Sequence, residues 1–339
     1  MTTETLSDDT QEDVRHGRLM AENQILREEA EKDTTMNPQN ALPKAAIHYR
    51  TLIVDGLEIF YRESGPQNAP VVLLLHGFPT SSHMFRDLIP LLAERYHIVA
   101  PDYPGFGYSV APGVEDFDYT FDHLAEIMEH FIEGLGLEQY ALYMQDFGGP
   151  VGFRLAVRHP ERITALIVQN ANAYEEGVTK ALRDIVLRVW TDKSPEAVAA
   201  IRMLFELPQT QRQFLEGAED PSLVSPDSWQ HAQWGMERPG NKDIQYAIHA
   251  DYGSNIERYN EWHRYFREHQ PPTLVVWGKN DFVFAEAGAK AYCQDLKTID
   301  VHLLEAGHFA LETNAPEIAR YILGFLSTHA PASPEKAQK

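Results

Sequence analysis

Short apolar segments recur along the chain and constrain its fold more than any other feature. They lack the strict alternation of a strand with one wet face, so they indicate strands buried on both faces, as in a parallel sheet. Helical patterns such as Phe121–Leu135 and Pro150–Arg158 separate several of them. Strand and helix in alternation predict an α/β fold with a mostly parallel, doubly wound sheet. The segments are Val71–Leu75, His97–Ala100, Tyr140–Met144, Ala165–Val168, Thr273–Trp277 and Val301–Leu304.

The alternation stops between residues 174 and 267, where helical periodicity replaces the strand pattern. An insertion of this length between strands predicts a helical cap domain over the C-terminal edge of the sheet, where open α/β sheets bind ligands. We therefore divide the chain into five parts. They are a polar acidic N-terminal extension (1–45), a first core part (46–173), the cap (174–267), a second core part (268–331) and a polar tail (332–339).

The composition excludes several classes of partner. The chain of 339 residues has 29 Lys+Arg against 50 Asp+Glu, a formal charge of −21 that disfavours nucleic acid and anionic membrane surfaces. No apolar run approaches the ~18 residues of a membrane span, and the first residues lack the features of a signal peptide. A single cysteine, Cys293, excludes an intramolecular disulfide, and the 15 histidines show no metal-ligand spacing. We expect a soluble, cytoplasmic protein without a bound metal.

Two interpretations of the extension 1–45 stay open. Its polar, mostly acidic composition and lack of aromatic residues are typical of a segment without a packed core. The alternative is an arm that serves dimerisation or contacts the cap. The sequence does not decide between them, so a homodimer stays among the expected assemblies.

An aspartate occupies the most informative position in the chain. The segment Tyr140–Met144 leads through Gln145 into Asp146, and the glycines and the helical pattern follow directly. A side chain at such a bend projects from the sheet edge beside the positive end of the helix, which presents a nucleophile and keeps a carboxylate ionised. The alternative is that Asp146 only caps the helix.

Two later strand ends favour the nucleophile. Thr273–Trp277 leads to the carboxylate of Asp281, and Val301–Leu304 leads to the imidazole of His308. The chain order nucleophile, acid, histidine is that of the α/β-hydrolase arrangement. Ser109 is a weaker candidate nucleophile, because it lies in a loop rich in proline and glycine with no strand leading straight into it.

The backbone N–H groups of Phe78 and Phe147 are the expected oxyanion hole. Phe147 follows the nucleophile, and Phe78 follows the His-Gly pair after Val71–Leu75. Pro79 is expected to fix this loop.

From residue 48 to residue 326, the chain resembles the α/β-hydrolase superfamily, in the branch with an aspartate nucleophile that includes epoxide hydrolases and haloalkane dehalogenases. The resemblance rests on HGFP at 76–79, DYPGFGYS at 102–109, QDFGGPVG at 145–152, WGKND at 277–281 and AGHFALE at 306–312. It implies that Asp146 attacks an sp³ carbon and forms an alkyl-enzyme ester. His308, oriented by Asp281, then activates water to hydrolyse the ester, and no cofactor is needed.

The leaving group separates the two reactions within the branch. Epoxide opening needs a tyrosine acid in the cap, and Asp251-Tyr252-Gly-Ser-Asn255 resembles one of the two motifs that supply it. Tyr252 is therefore the expected acid. The alternative interpretation is that Tyr252 only belongs to the packed face of a helix. Halide release needs side-chain N–H donors, which Phe78 and Phe147 cannot provide.

The rest of the cap evidence is mixed. Leu182–Asp192, where the resemblance implies a second tyrosine, has none and holds Trp190 instead, while Tyr174 lies at the start of the cap. Tyr174 and Trp190 are expected to contact the substrate. The sequence thus predicts a cofactor-independent epoxide hydrolase that uses water and a small apolar organic substrate. The alternatives are a haloalkane dehalogenase and a non-catalytic ligand-binding protein of the same fold.

Overall fold

The computed structural model describes residues 46–329, so the extension 1–45 and the tail 332–339 lie outside the described residues. One sheet of eight strands organises this part of the chain, in the order β1-β2-β4-β3-β5-β6-β7-β8. Strands β1 and β2 are antiparallel, β2 also pairs antiparallel with β4, and all other neighbours are parallel. The strands are β1 (His48–Val54), β2 (Leu57–Ser64), β3 (Val71–Leu75), β4 (His97–Pro101), β5 (Tyr140–Gln145), β6 (Ile163–Gln169), β7 (Thr273–Gly278) and β8 (Ile299–Leu304).

Helices flank the sheet and fill the interval between β6 and β7. The α-helices are α1 (Ile89–Leu92), α2 (Phe121–Gly134), α3 (Gly148–Arg158), α4 (Arg188–Thr191), α5 (Pro195–Arg202), α6 (Leu207–Leu215), α7 (Pro226–Met236), α8 (Asn241–Ala250), α9 (Gly253–Glu257), α10 (Tyr259–His269), α11 (Glu286–Ala291) and α12 (Leu311–His329). A π-helix spans Leu182–Leu187, and short 3₁₀ turns span Ser82–Phe85, Pro160–Arg162, Glu175–Gly177, Met203–Phe205, Pro221–Leu223 and Tyr292–Gln294.

The central strands are buried on both faces, which explains their unbroken apolar sequence. All six residues of β5 and of β7 are buried. Successive side chains of a strand point to opposite faces, so each strand serves two cores. In β3, for example, Leu73 belongs to one hydrophobic cluster and Val72 and Leu74 belong to the other. The predicted α/β fold with a mostly parallel sheet is confirmed.

Local sequence signals also fix the helix starts between β6 and β7. The Ser194 side chain accepts a hydrogen bond from the N–H of Ala197, and Ser225 accepts one from the N–H of Asp227. In both cases the proline that follows occupies the first turn, where its missing N–H has no helical partner to lose. Within the part of the chain that the structure describes, no helix combines the length and the apolar character that crossing a membrane requires.

Candidate active site

Asp146 lies in the sharp connection between β5 and α3. Only Asp146 and Phe147 separate the last residue of the strand from the first residue of the helix. The backbone of Asp146 has φ 50°, a left-handed conformation that non-glycine residues seldom adopt. The chain passes so close that a Cβ on Gly77 would lie 2.3 Å from the Cβ of Asp146. The bend therefore holds the carboxylate at the carboxyl edge of the sheet, as the sequence predicts for a nucleophile.

The backbone N–H of Phe78 donates a hydrogen bond of 2.7 Å to Oδ1 of Asp146. The N–H of Phe147 also lowers the pKa of this carboxyl group. The loop that carries Phe78 continues through a cis bond between Phe78 and Pro79. Both N–H groups expected at an oxyanion hole thus act on Asp146, where they can stabilise negative charge on a carboxyl oxygen.

The imidazole of His308 lies between the carboxyl groups of Asp281 and Asp146. Its Nδ1 lies 2.8 Å from Oδ2 of Asp281, and its Nε2 lies 3.8 Å from Oδ2 of Asp146. A carboxylate accepts, so Nδ1 carries the proton and Nε2 of the neutral ring presents a lone pair towards Asp146. The amide Nε2 of Gln145 lies 3.2 Å from the same ring nitrogen. The three residues predicted from strand ends are therefore brought together, in the order Asp281, His308 and Asp146.

Asn170, which the sequence did not point to, connects the carboxylate of Asp281 to the backbone of Asp146. Its side-chain Nδ2 donates to Oδ2 of Asp281 at 2.8 Å, and its Oδ1 accepts from the N–H of Gly278 at 2.9 Å. Its backbone oxygen accepts from the N–H of Asp146 at 3.2 Å. Asn170 follows β6 directly and has φ 42°. The available signal was a polar residue at another strand end of the same sheet edge.

Burial dominates the electrostatics of the site. It raises the pKa of Asp146 to about 6, against the lowering effects of His308 and the two N–H groups. Burial also lowers the pKa of His308, but the charges of Asp281 and Asp146 outweigh it and leave this pKa above its usual 6.5. A carboxylate desolvated in this way is a stronger nucleophile than one in water, because less hydration must be removed when it attacks.

A cavity of about 210 Å³ opens above Asp146 between the core and the inserted helices. It is smaller than the ~300–1,000 Å³ usual for drug-sized ligands, so it suits a small substrate. Most of its lining is aliphatic or aromatic, and the polar side chains are few. The lining residues are Phe78, Asp146, Phe147, Ala181, Leu182, Ile185, Val186, Ala200, Met203, Leu204, Gln209, Arg212, Gln213, His249, Tyr252, Phe282, Val283 and Phe284.

Tyr252 lines this cavity together with Asp146, as the sequence predicts for the acid. Its ring packs against Phe121 and Phe147, with centroids 5.8 and 6.0 Å apart. Its hydroxyl has no hydrogen-bond partner within residues 46–329, and the residue lines the cavity. Burial, reinforced by the nearby Tyr259 and Asp146, raises the pKa of Tyr252 well above 10, so it keeps its proton at neutral pH.

Arg154 fixes the turn that carries Tyr252. It is a buried residue of α3, the helix that begins two residues after Asp146. Its Nη1 donates to Oδ1 of Asn255 at 2.7 Å, its Nη2 donates to Ser254 at 3.2 Å, and its Nε donates to Asp122 at 2.5 Å. This network ties the cap segment around Tyr252 to the helix that begins beside Asp146.

Tyr174 and Trp190 lie outside the residues that line the cavity. The hydroxyl of Tyr174 donates to Oδ2 of Asp295 at 2.9 Å, and its ring stacks on His263. Trp190 packs against the backbone of Gly253, where any Cβ would lie 2.2 Å from the indole. The geometry therefore does not bring these two expected substrate contacts to Asp146, because both rings fill packing positions at the edges of the cap.

Ser109 has a structural role. Its hydroxyl donates to the backbone oxygen of Asp102 at 2.7 Å and accepts from the N–H of Phe60 at 2.9 Å. It does not line the cavity. This placement agrees with the sequence argument against a serine nucleophile.

One group of side chains in the described range has the spacing of metal ligands, namely Glu129, Glu133 and His159, whose candidate atoms lie within 4.8 Å of one another. Arg158 and Arg162 form ion pairs with the two glutamates, at 2.9 and 3.0 Å. The two arginines already neutralise this cluster, which does not line the cavity, so we assign it no part in the site.

The sheet order, the strand-end triad and the inserted helices together define an α/β-hydrolase. The family model for the alpha/beta hydrolase fold matches residues 70–315, and the chain belongs to this family. An uncharacterised hydrolase of Saccharomyces cerevisiae is 39% identical over 285 residues, which cover 83% of this chain and 98% of the yeast protein.

Haloalkane dehalogenases are also similar to this chain. One from Bradyrhizobium diazoefficiens is 42% identical over 120 residues, covering 35% of this chain and 38% of that protein. The crystal structure of a putative ancestral haloalkane dehalogenase superposes with a TM-score of 0.69 and 25% identity, covering 83% of this chain and 99% of that one. The protein is thus a hydrolase of the α/β fold that is close to the haloalkane dehalogenases.

Proposed function

We propose that this protein hydrolyses a small, largely apolar epoxide to a diol, through an alkyl-enzyme ester on Asp146 and without a cofactor. The proposal rests on the placement of a carboxylate and a phenol in one apolar cavity, where the phenol has no hydrogen-bond partner within residues 46–329. Oδ1 of Asp146 accepts a hydrogen bond from the N–H of Phe78, which leaves Oδ2 for the attack, and Tyr252 lines the same cavity.

In the first step, Oδ2 of Asp146 attacks a ring carbon of the epoxide and the carbon–oxygen bond of that carbon breaks. The electron pair stays on the departing oxygen, which takes the proton of Tyr252. This transfer is favourable because a strained ring releases an alkoxide that is more basic than a phenolate. The product is an ester of Asp146 that carries a neighbouring hydroxyl group.

In the second step, Nε2 of His308 accepts a proton from water and the hydroxide attacks Cγ of the Asp146 ester. The former Oδ1 becomes the oxyanion and receives hydrogen bonds from the N–H groups of Phe78 and Phe147. Collapse of the tetrahedral intermediate releases the diol and restores the carboxylate. The proton on His308 returns to Tyr252 through solvent, so the net reaction is epoxide plus water to diol.

Haloalkane dehalogenation is the second candidate, and the similarity to dehalogenases favours it. A departing halide needs hydrogen-bond donors, and in this cavity Phe78 and Phe147 flank the nucleophile without side-chain N–H groups. Trp190 does not line the cavity, and the lining side chains that carry N–H groups are those of Gln209, Arg212, Gln213 and His249. Arg212 is already paired with Glu216, and Tyr252 adds one hydroxyl donor to the lining. One hydroxyl suits an epoxide oxygen better than it suits a halide, and this decides our preference.

A non-catalytic ligand-binding protein is the third candidate. The ordered contact from Asp281 through His308 to Asp146 argues for turnover, since binding alone needs no buried base beside a carboxylate. We therefore place this candidate last.

The first test is an incubation with a panel of short-chain epoxides and a panel of bromoalkanes of matched size, with diol and bromide release measured separately. We expect diol formation from epoxides. Bromide release without diol formation would overturn the epoxide assignment in favour of the dehalogenase.

A second test traps the intermediate. The variant His308→Gln should form the ester but hydrolyse it slowly, so mass spectrometry should show a mass gain equal to one epoxide on the peptide that contains Asp146. Asp146→Asn in the same background is the matched control and should show no gain. Ligand binding without any adduct or turnover would support the non-catalytic candidate.

A further inference from the structure

His249 lines the same cavity as Asp146, although it has no role in the proposed mechanism. It lies on α8, is 2% exposed and lines the cavity. Its ring centroid lies 4.5 Å from that of Phe78, 5.1 Å from that of Phe147 and 5.2 Å from that of Phe205. The imidazole therefore lies over the two residues whose N–H groups act on Asp146.

The hydrogen bond of His249 determines what it offers to a ligand. Its Nδ1 lies 2.7 Å from the backbone oxygen of Gln245. A carbonyl oxygen only accepts, so Nδ1 carries the proton and Nε2 of the neutral ring is an acceptor. Nε2 has no hydrogen-bond partner within residues 46–329, and the side chain lines the cavity.

The surroundings of His249 keep the ring neutral. Aromatic side chains pack around it, and no carboxylate within the described range forms an ion pair with it. Burial lowers the pKa of His249 to about 4. A neutral acceptor repels a halide or an epoxide oxygen, both of which are electron-rich, so His249 does not assist the leaving group.

We propose that His249 recognises a hydrogen-bond donor on the substrate, and that the preferred substrates are epoxides with a hydroxyl group on the carbon next to the ring. This inference rests on the proposed epoxide hydrolase function and names its substrate class. Tyr252 follows His249 by three residues, in the turn directly after α8, and both side chains line the same cavity. The phenol then donates to the ring oxygen while the imidazole accepts from the hydroxyl.

The apolar lining makes this acceptor selective. A hydroxyl that enters such a cavity loses its hydrogen bonds to water, and Nε2 of His249 restores one of them. A substrate of the same shape with a methyl group in that place leaves Nε2 unsatisfied. A neutral hydrogen bond contributes about 0.5–1.5 kcal/mol, which corresponds to roughly a 2- to 12-fold preference.

The test compares three epoxides: glycidol, its methyl ether and ethyloxirane. The ether keeps the oxygen but cannot donate, and ethyloxirane replaces the hydroxyl with a methyl group. We expect wild type to favour glycidol over both by about 5- to 10-fold in kcat/KM. His249→Phe should reduce this preference below about 2-fold, and His249→Gln, whose amide oxygen is an acceptor, should recover most of it. The ratio of the kcat/KM values for two substrates does not depend on the fraction of active protein. A purely structural role of His249 would therefore leave this ratio unchanged.

Two outcomes separate this inference from the proposed function. Epoxide turnover with no preference for glycidol, or a preference that survives in His249→Phe, would overturn the role of His249 and leave the epoxide hydrolase intact. If no epoxide is turned over, the proposed function fails. Calorimetric binding of glycerol and its monomethyl ether then tests the acceptor alone: a preference for glycerol lost in His249→Phe supports it, and equal binding overturns it.

Discussion

Replacing Asp146, the proposed nucleophile, should stabilise the protein. Asp146 is ionised at neutral pH although burial raises its pKa from 3.8 to about 6, so the folded protein binds its proton more tightly than the unfolded chain does. Folding is therefore penalised as the pH rises from below 4 to above 6. Asp146→Asn removes the charge, and its amide oxygen can still accept the hydrogen bond from the N–H of Phe78.

The size of the effect follows from the two pKa values. Each pKa step represents about 1.4 kcal/mol, and the difference between about 6 and 3.8 gives roughly 3 kcal/mol of penalty at about pH 8. At about pH 4.5, most of the carboxyl group is protonated in the folded state, and the same linkage gives roughly 1 kcal/mol. The advantage of Asp146→Asn over wild type should therefore grow by roughly 2 kcal/mol between these pH values.

Equilibrium unfolding in guanidinium at both pH values measures this difference. Asp122→Asn is a matched control of opposite sign. Burial raises the pKa of Asp122, but the hydrogen bonds and charges of Arg154 and Arg258 outweigh it and lower the pKa. Removing that carboxylate should destabilise the protein, and more so as the pH rises. An Asp146→Asn variant that is no more stable than wild type at about pH 8, or whose advantage is independent of pH, would refute the reasoning.

Three further results are expected. The value of kcat/KM should fall about tenfold per pH unit below about pH 6, because protonated Asp146 cannot attack; a flat profile between pH 5 and 7 would contradict this. Asn170→Ala removes a hydrogen bond to the charged Asp281, so kcat should fall roughly 10- to 100-fold and the ester should accumulate in quenched-flow mass spectrometry. An unchanged rate of ester hydrolysis would show that Asn170 does not position Asp281. Arg154→Gln removes hydrogen bonds to the turn around Tyr252, so ester formation from epoxides should slow about tenfold in single-turnover kinetics while thermal unfolding stays cooperative. An unchanged rate would show that the turn keeps its conformation without Arg154.

Strand ends were the part of the site that sequence could predict. Asp146, Asp281 and His308 each follow a buried apolar segment, and parallel strands bring their carboxyl ends to one edge of the sheet whatever the rest of the chain does. The positions of β3 to β7 could also be predicted, because strands that are largely buried on both faces leave an unbroken apolar sequence.

The cap was harder to predict because its helices are positioned by contacts between residues far apart in the chain. Tyr174 pairs with Asp295, more than one hundred residues away, and this contact takes its hydroxyl out of the cavity. His249 looks like any other histidine on a helix until Phe78 and Phe147 pack against it. Periodicity identifies which elements exist, and packing decides which of their side chains face the substrate.

The central claim is a covalent ester on Asp146, and the most direct measurement follows oxygen atoms through one turnover. Excess enzyme is mixed with an epoxide in water enriched in heavy oxygen, and both the diol and the peptide that contains Asp146 are examined by mass spectrometry. The ester mechanism predicts that the heavy oxygen appears in Asp146 and that the diol of this first turnover is unlabelled. Heavy oxygen in the diol with none in Asp146 would mean direct attack by water and would contradict the account.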